Sequence, residues 1–137
     1  MTEGLSHITL ICADLDRTGK LLENVLGARL LYASGTREFS KSAERFYDVG
    51  GTWVAIMEGP ALDTRSYNHV AFKVEDHRLD ACEATVRALG LEVLQPRPRV
   101  EGEGRSLYFY DADNHLFELH TGTLEERLRR YALEDAE

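Results

Sequence analysis

His7, His69 and Glu118 are the residues of this 137-residue chain whose types and spacing could do metal chemistry. The two histidines open two copies of one motif, Leu5-Ser-His-Ile-Thr-Leu-Ile-Cys-Ala-Asp14 and Tyr67-Asn-His-Val-Ala-Phe-Lys-Val-Glu-Asp76. Histidine is the commonest side-chain metal ligand, and one repeated at the same place in a duplicated unit suggests a site built about a pseudo-twofold axis. A lone histidine in a strand is ordinarily a core or edge residue. Two at repeat-equivalent positions, with a carboxylate on the predicted partner strand, reverse that expectation. Strand alternation puts His7, Thr9 and Ile11 on one face, His69 and Ala71 on another, and Leu116, Glu118 and His120 on a third. If these faces line one cavity, His7, His69 and Glu118 converge. Aligning Gly59 with Gly122 sets Ala55 where the repeat would need a fourth ligand. Three protein ligands leave coordination positions open, as in a catalytic site, and the set suits Fe(II), Mn(II) or Zn(II) without choosing among them. His120 is the best alternate ligand. His77 near a helix start and His115 after the turn Asp111-Ala-Asp-Asn114 are weaker ones.

The elements that must hold these residues repeat as βαβββ. The first copy predicts a strand over 5–11, a helix over 14–26 closed by Gly27, and strands over 29–33, 45–49 and 52–58, with Gly50-Gly51 as a hairpin turn. The second predicts a strand over 67–74, a helix over about 77–89 closed by Gly90, and strands over 91–95, 105–111 and 115–121. Thr123-Leu-Glu-Glu126 reads as a capping box opening a helix to about 133, striped by Leu124, Leu128 and Tyr131. The expected fold is α+β, one domain over 1–137 with repeat one at about 4–59 and repeat two at about 66–122. Neither half buries its sheet face alone, so paired half-units are expected. Two stretches, 34–44 and 96–105, lack periodicity and sit at equivalent places in the repeats. Loops on a rigid scaffold commonly carry function.

Composition narrows the classes of partner. A net charge of −8 argues against a generic nucleic-acid or anionic-membrane binder. No apolar run approaches the ~20 residues of a span, and no signal-peptide pattern is expected at the start. Cys12 and Cys82 do not make a disulfide framework. Cys82 shares a helical stripe with Leu79, Val86 and Leu89, which predicts a buried core thiol. These features predict a cytoplasmic protein.

The paired units, the two opening histidines and the segment Asp111-Ala-Asp-Asn-His-Leu-Phe-Glu118 resemble the vicinal oxygen chelate superfamily, the glyoxalase/bleomycin resistance-like fold. Ala112 and Asn114 stand where that pattern commonly has Pro and Gly, and Asn tolerates the left-handed conformation the turn needs. A narrower resemblance covers almost the whole chain. Glu3-Gly-Leu-Ser-His7, Trp53-Val-Ala-Ile-Met57, Arg65-Ser-Tyr-Asn-His69, Arg97-Pro-Arg-Val-Glu-Gly-Glu-Gly-Arg105 and Phe117-Glu-Leu-His-Thr-Gly-Thr-Leu-Glu-Glu-Arg-Leu128 look like the fosfomycin resistance proteins, most closely the FosX-type epoxide hydrolases.

That resemblance implies Mn(II) held by His7, His69 and Glu118, and a homodimer whose composite sites draw on both chains. It implies Glu44 as general base on water, and a phosphonate held by Arg127, Ser106, Tyr108 and Thr9, with Trp53 and Tyr67 as nearby aromatics. Trp53 and Tyr67 can equally serve core packing. Arg97, Arg99 and Arg105 supply local positive charge, of which one, with Arg99 foremost, would touch substrate. The physical requirements agree: opening a phosphonate epoxide needs a polarised oxygen, an anchored anion and an activated nucleophile. Three alternatives stay open. A thiol transferase on the same epoxide has no need of Glu44. An Fe(II) dioxygenase has no obvious use for Arg127 and Ser106. A non-catalytic drug-binding module need not keep the ligand set.

Overall fold

The computed structural model describes residues 1–34, 43–95 and 101–136. Strand β1 (His7–Cys12) leads to helix α1 (Leu15–Leu26), then β2 (Arg29–Ala33), β3 (Glu44–Val49) and β4 (Thr52–Glu58). The second run is β5 (His69–Lys73), a 3-10 turn (Asp76–Arg78), α2 (Leu79–Ala88), β6 (Ser106–Tyr110) and β7 (Leu116–His120), closed by α3 (Leu124–Ala136). The chain forms two compact units, residues 1–64 with 112–114, and residues 65–111 with 115–137.

In the first unit the sheet order is β1-β4-β3-β2, with β1 parallel to β4 and the other pairs antiparallel. Asp14 caps α1 by accepting from the Arg17 amide at 3.1 Å, and Gly27 ends it in the left-handed region at φ 66°. Leu21, Leu22 and Val25 bury the inner face of α1, and Tyr47, Val49, Val54 and Ile56 bury the sheet. Gly19 lies mid-helix because a Cβ there would stand 2.5 Å from the buried Tyr47 hydroxyl. The hairpin at Gly50-Gly51 has positive φ at both positions, as a two-residue turn of this type requires.

In the second unit the sheet order is β5-β7-β6, again with the outer strand parallel to the central one. Leu107, Phe109, Phe117 and Leu119 form its core with Val86 of α2, and the Phe109 and Phe117 rings stack at 5.4 Å. Asn114 takes φ 68°, so the turn the sequence predicts does form, and His115 closes on Asp111 through Nδ1 at 2.8 Å.

Three expectations are corrected in this unit. The strand predicted at 91–95 is reduced to a single bridge between Val93 and Phe109; Pro96, which has no N–H, follows at once and cannot extend a ladder. The helix expected from 77 begins as a 3-10 turn with no side-chain cap. The guanidinium of Arg105 grips that start instead, donating to the Asp76 carboxylate at 2.9 Å, its carbonyl at 2.9 Å and Asp80 at 3.2 Å. The Arg105 guanidinium thereby stands in for the missing cap. Cys82 is half-buried rather than fully buried, which still pushes its thiol pKa up, and Leu89 is exposed. Arg97 and Arg99, and most of the loop at 34–44, lie outside the described residues. Thr123 caps α3, its hydroxyl accepting from the Glu126 amide at 3.1 Å and donating to the Glu126 carboxylate at 3.0 Å. No helix among the described residues is long and apolar enough to cross a membrane.

Candidate active site

Cross-strand register converts the predicted faces into two half-sites. In the second unit Ala71 pairs with Glu118 and Tyr108 pairs with Glu118 from the other side, while Ser106 stands opposite His120. Period-2 alternation therefore lays His69, Glu118, His120, Ser106 and Tyr108 on one face, away from the phenylalanine core.

His69 is oriented by its own strand entry: Nδ1 donates to the Tyr67 carbonyl at 2.7 Å. That bond fixes the tautomer and leaves a lone pair on Nε2. Nε2 faces Glu118 Oε1 at 3.0 Å. A lone pair and a carboxylate oxygen this close need a proton or a cation between them, so the pair has the donor chemistry of a metal site. The other carboxylate oxygen of the buried Glu118, Oε2, accepts from the Ser106 hydroxyl at 2.7 Å. Ser106 also meets His120 Nδ1 at 2.7 Å, and His120 Nε2 faces Arg127 at 3.4 Å. Ser106, expected at a substrate anion, thus directs its one proton to Glu118.

Tyr108 sits beside this carboxylate. Burial first, then hydrogen bonds with Tyr67 and Glu118, hold its phenol protonated well above the usual tyrosine range. Its hydroxyl meets that of Tyr67 at 3.4 Å. A cavity of about 270 Å³ runs from Ala71 and Glu118 past His120 and Gly122 to Arg127, joining the carboxylate to a guanidinium.

In the first unit His7 pairs with Trp53 and Thr9 with Ala55, while Phe46 pairs with Ala55 and Glu44 with Met57. His7, Thr9, Ala55 and Glu44 consequently share one face. The His7 ring stacks on Trp53 at 4.1 Å, and Phe46 meets Trp53 edge-on at 5.1 Å. Glu44 is buried, and its backbone is clamped on both sides: its amide donates to Ser34 Oγ and its carbonyl accepts from the Ser34 amide, each at 2.9 Å. His7 and Thr9 are exposed in this chain.

All the described candidates therefore fall into two groups, His69, Glu118, Ser106, Tyr108, Tyr67 and Arg127 in one unit and His7, Thr9, Trp53 and Glu44 in the other. Arg99 lies outside the described residues. His120, read from the sequence only as a substitute ligand, is instead the hub between Ser106 and Arg127. Its place opposite Ser106 is set by the register of β6 against β7. His77 is exposed beside Glu75, and His115 serves its turn.

Residues 4–119 match the Glyoxalase/Bleomycin resistance protein/Dioxygenase superfamily. The fosfomycin resistance protein FosX of Mesorhizobium japonicum is 59% identical over 132 residues, covering 96% of this chain and 95% of that protein. The metallothiol transferase FosB of Shouchella clausii is 37% identical over 137 residues, covering 96% and 88%. A crystal structure of a FosX variant from Listeria monocytogenes, complexed with Mn(II) and 1S,2S-dihydroxypropylphosphonic acid, superposes with a TM-score of 0.86 at 51% identity, over 96% of this chain and 99% of that one. With the same doubled ladder and these relatives, the chain belongs to the Glyoxalase/Bleomycin resistance protein/Dioxygenase superfamily, in its FosX branch.

Proposed function

We infer that the protein is a Mn(II)-dependent epoxide hydrolase that inactivates fosfomycin by adding water across the epoxide. The observation that carries this reading is Glu118, 3.0 Å from His69 and lining one cavity with Arg127. A metal-ligating carboxylate and a cation for a phosphonate are what a small anionic epoxide needs. The FosX relative bound to Mn(II) and a dihydroxypropylphosphonic acid, the diol that water addition to fosfomycin yields, supports it.

His7, His69 and Glu118 would hold the metal, which when bound supplies Lewis acidity at the epoxide oxygen. Arg127, with Tyr108 and Thr9, binds the phosphonate, and Ser106 acts through Glu118. Trp53 and Tyr67 wall the site, and Trp53 also steadies His7. Glu44 takes a proton from water as the water oxygen bonds to an epoxide carbon, from the side opposite the breaking C–O bond. A thiol transferase, the chemistry of the FosB relative, does not require such a base. Glu44 at a buried, backbone-clamped position favours water.

The reading extends to assembly. The units act as halves of one domain, and the protein is a homodimer in which His7 of one subunit completes a site with His69 and Glu118 of the other. The exposed His7 face in one unit and, separately, the exposed Leu124, Leu128 and Tyr131 stripe of α3 in the other each support packing against a further chain. The protein works in the cytoplasm. The test is the mass of the product formed from fosfomycin and Mn(II), with and without glutathione. The expected product is heavier than fosfomycin by one water in both. A glutathione adduct as the main product overturns the hydrolase reading.

A further inference from the structure

We propose that His120 is a positioning residue that couples the substrate anchor to the metal-binding carboxylate, through hydrogen bonds running in one direction from Arg127 to His120 to Ser106 to Glu118. The proposal rests on the reading of Glu118 as a metal ligand and Arg127 as a phosphonate anchor.

The direction follows from counting protons. Arg127 has only donors, so its contact with His120 Nε2 at 3.4 Å requires a lone pair on that nitrogen. The imidazole proton then belongs on Nδ1, which lies 2.7 Å from Ser106 Oγ and 3.5 Å from Glu118 Oε2. Ser106 accepts that proton, and its single hydroxyl hydrogen can go only onward, to Glu118 Oε2 at 2.7 Å. A ring with protons on both nitrogens would turn an N–H against the guanidinium. A ring protonated on Nε2 alone would do the same and free Ser106 to rotate.

Two consequences bear on the reaction. Oε2 of Glu118 is occupied by the serine, so Oε1, the oxygen 3.0 Å from His69 Nε2, is the one presented to a cation. The carboxylate is thereby aimed, and its second oxygen is kept from turning. At the other end, His120 takes one guanidinium nitrogen of Arg127 and leaves the rest of its fork for the phosphonate. The backbone supports this placement. Ser106 and His120 are direct partners across β6 and β7. Gly122 also lets the ring lie close, since a Cβ there would stand 2.9 Å from His120 Nε2 and 2.7 Å from the Glu103 carbonyl.

The test separates the two ends. In His120→Ala, loss of an outer partner should weaken Mn(II) binding about 10–100-fold by calorimetry. The KM for fosfomycin should also rise as Arg127 loses its stop. His120→Asn is the informative variant, because its amide N–H can replace Nδ1–H toward Ser106, but no atom of it reaches Arg127. Mn(II) affinity should return to near the wild-type value while KM stays raised, with unchanged circular dichroism in both variants. Wild-type Mn(II) affinity and KM in His120→Ala, or an Asn variant that recovers both or neither, overturns the proposal. A wild-type protein that takes up no Mn(II) overturns the metal reading beneath it, whereas one that binds Mn(II) and hydrolyses fosfomycin, with variants indistinguishable from it, overturns the positioning role alone.

Discussion

At the rung where the first unit sets Ala55 between Thr9 and Phe46, the second sets Glu118 between Ala71 and Tyr108. The ladders match strand for strand around these rungs, so the other positions can be paired. His7 corresponds to His69, Trp53 to Leu116, Met57 to His120, and Glu44 to Ser106. Only the histidines keep their chemistry. Both rings have an aromatic neighbour, Trp53 stacked on His7 at 4.1 Å and Tyr67 tilted against His69 at 4.9 Å, but only His69 faces a carboxylate, Glu118 at 3.0 Å. A duplicated scaffold supplies two histidines by repetition, and the divergence of the remaining rungs sets an alanine where the other copy has a carboxylate. In the proposed reading, one unit offers a wall and a base, the other a ligand pair and an anion anchor.

Glu44 and Ser106 give the sharpest way to break this comparison, because they occupy the same rung and are assigned different work. Glu44→Ala should lower fosfomycin hydrolysis by about 10²–10⁴-fold, the usual weight of a general base, with Mn(II) affinity unchanged. Hydrolysis at the wild-type rate would place the base elsewhere. Ser106→Ala should do the reverse in kind and less in size. Calorimetry should show Mn(II) binding weaker by about 10–100-fold, because Glu118 loses the donor on its Oε2. Unchanged affinity would mean that the serine is not what aims the carboxylate.

The difference between these two residues also marks what could be read from the chain beforehand. The faces carrying His7, His69 and Glu118 were legible because a strand's side chains alternate with period two, and the repeat of His and Asp fixes the register between copies. The absence of a ligand at Ala55 was legible for the same reason. The hydrogen-bonded chain through His120 was not, since it depends on Ser106 standing opposite a residue fourteen positions away, and cross-strand register is a tertiary fact. The ion pairs of Arg105 were hidden for a similar reason: the carboxylates of Asp76 and Asp80 that engage it are remote in sequence and are presented by a helix start that lacks its own side-chain cap. The strand at 91–95 failed locally, where Pro96 outweighs the apolar residues before it.

The buried faces differ as well. Tyr47 and Phe109 are corresponding core residues, each fully buried, but only Tyr47 carries a hydroxyl, and only the helix over it has an internal glycine. Helix propensity alone predicts that Gly19→Ala stabilises α1 by about 1 kcal/mol. The structure predicts the opposite sign, a loss of about 1–3 kcal/mol in urea unfolding, because the new methyl meets the Tyr47 hydroxyl. Adding Tyr47→Phe, which copies the second unit, should recover much of that loss, and the coupling in the double-mutant cycle is the quantity to measure. Additive effects would show that the hydroxyl is not the obstacle.

The smallest expected effect tests whether the two kinds of half-site meet across a dimer. His7→Ala removes a ligand from the aromatic half, Glu118→Ala removes one from the polar half, and each variant alone should be inactive. If every site takes His7 from one subunit and Glu118 from the other, a hybrid dimer holds one intact site and one lacking both ligands. Random exchange at equal concentration makes half the dimers hybrids, so activity should return to about a quarter of the wild-type level. Native mass spectrometry reports whether exchange has occurred, which separates a slow dimer from a wrong assignment. Hybrids present without activity would place His7 and Glu118 in one site of a single chain. A quarter of the activity would mean that each site takes His7 from one subunit and Glu118 from the other.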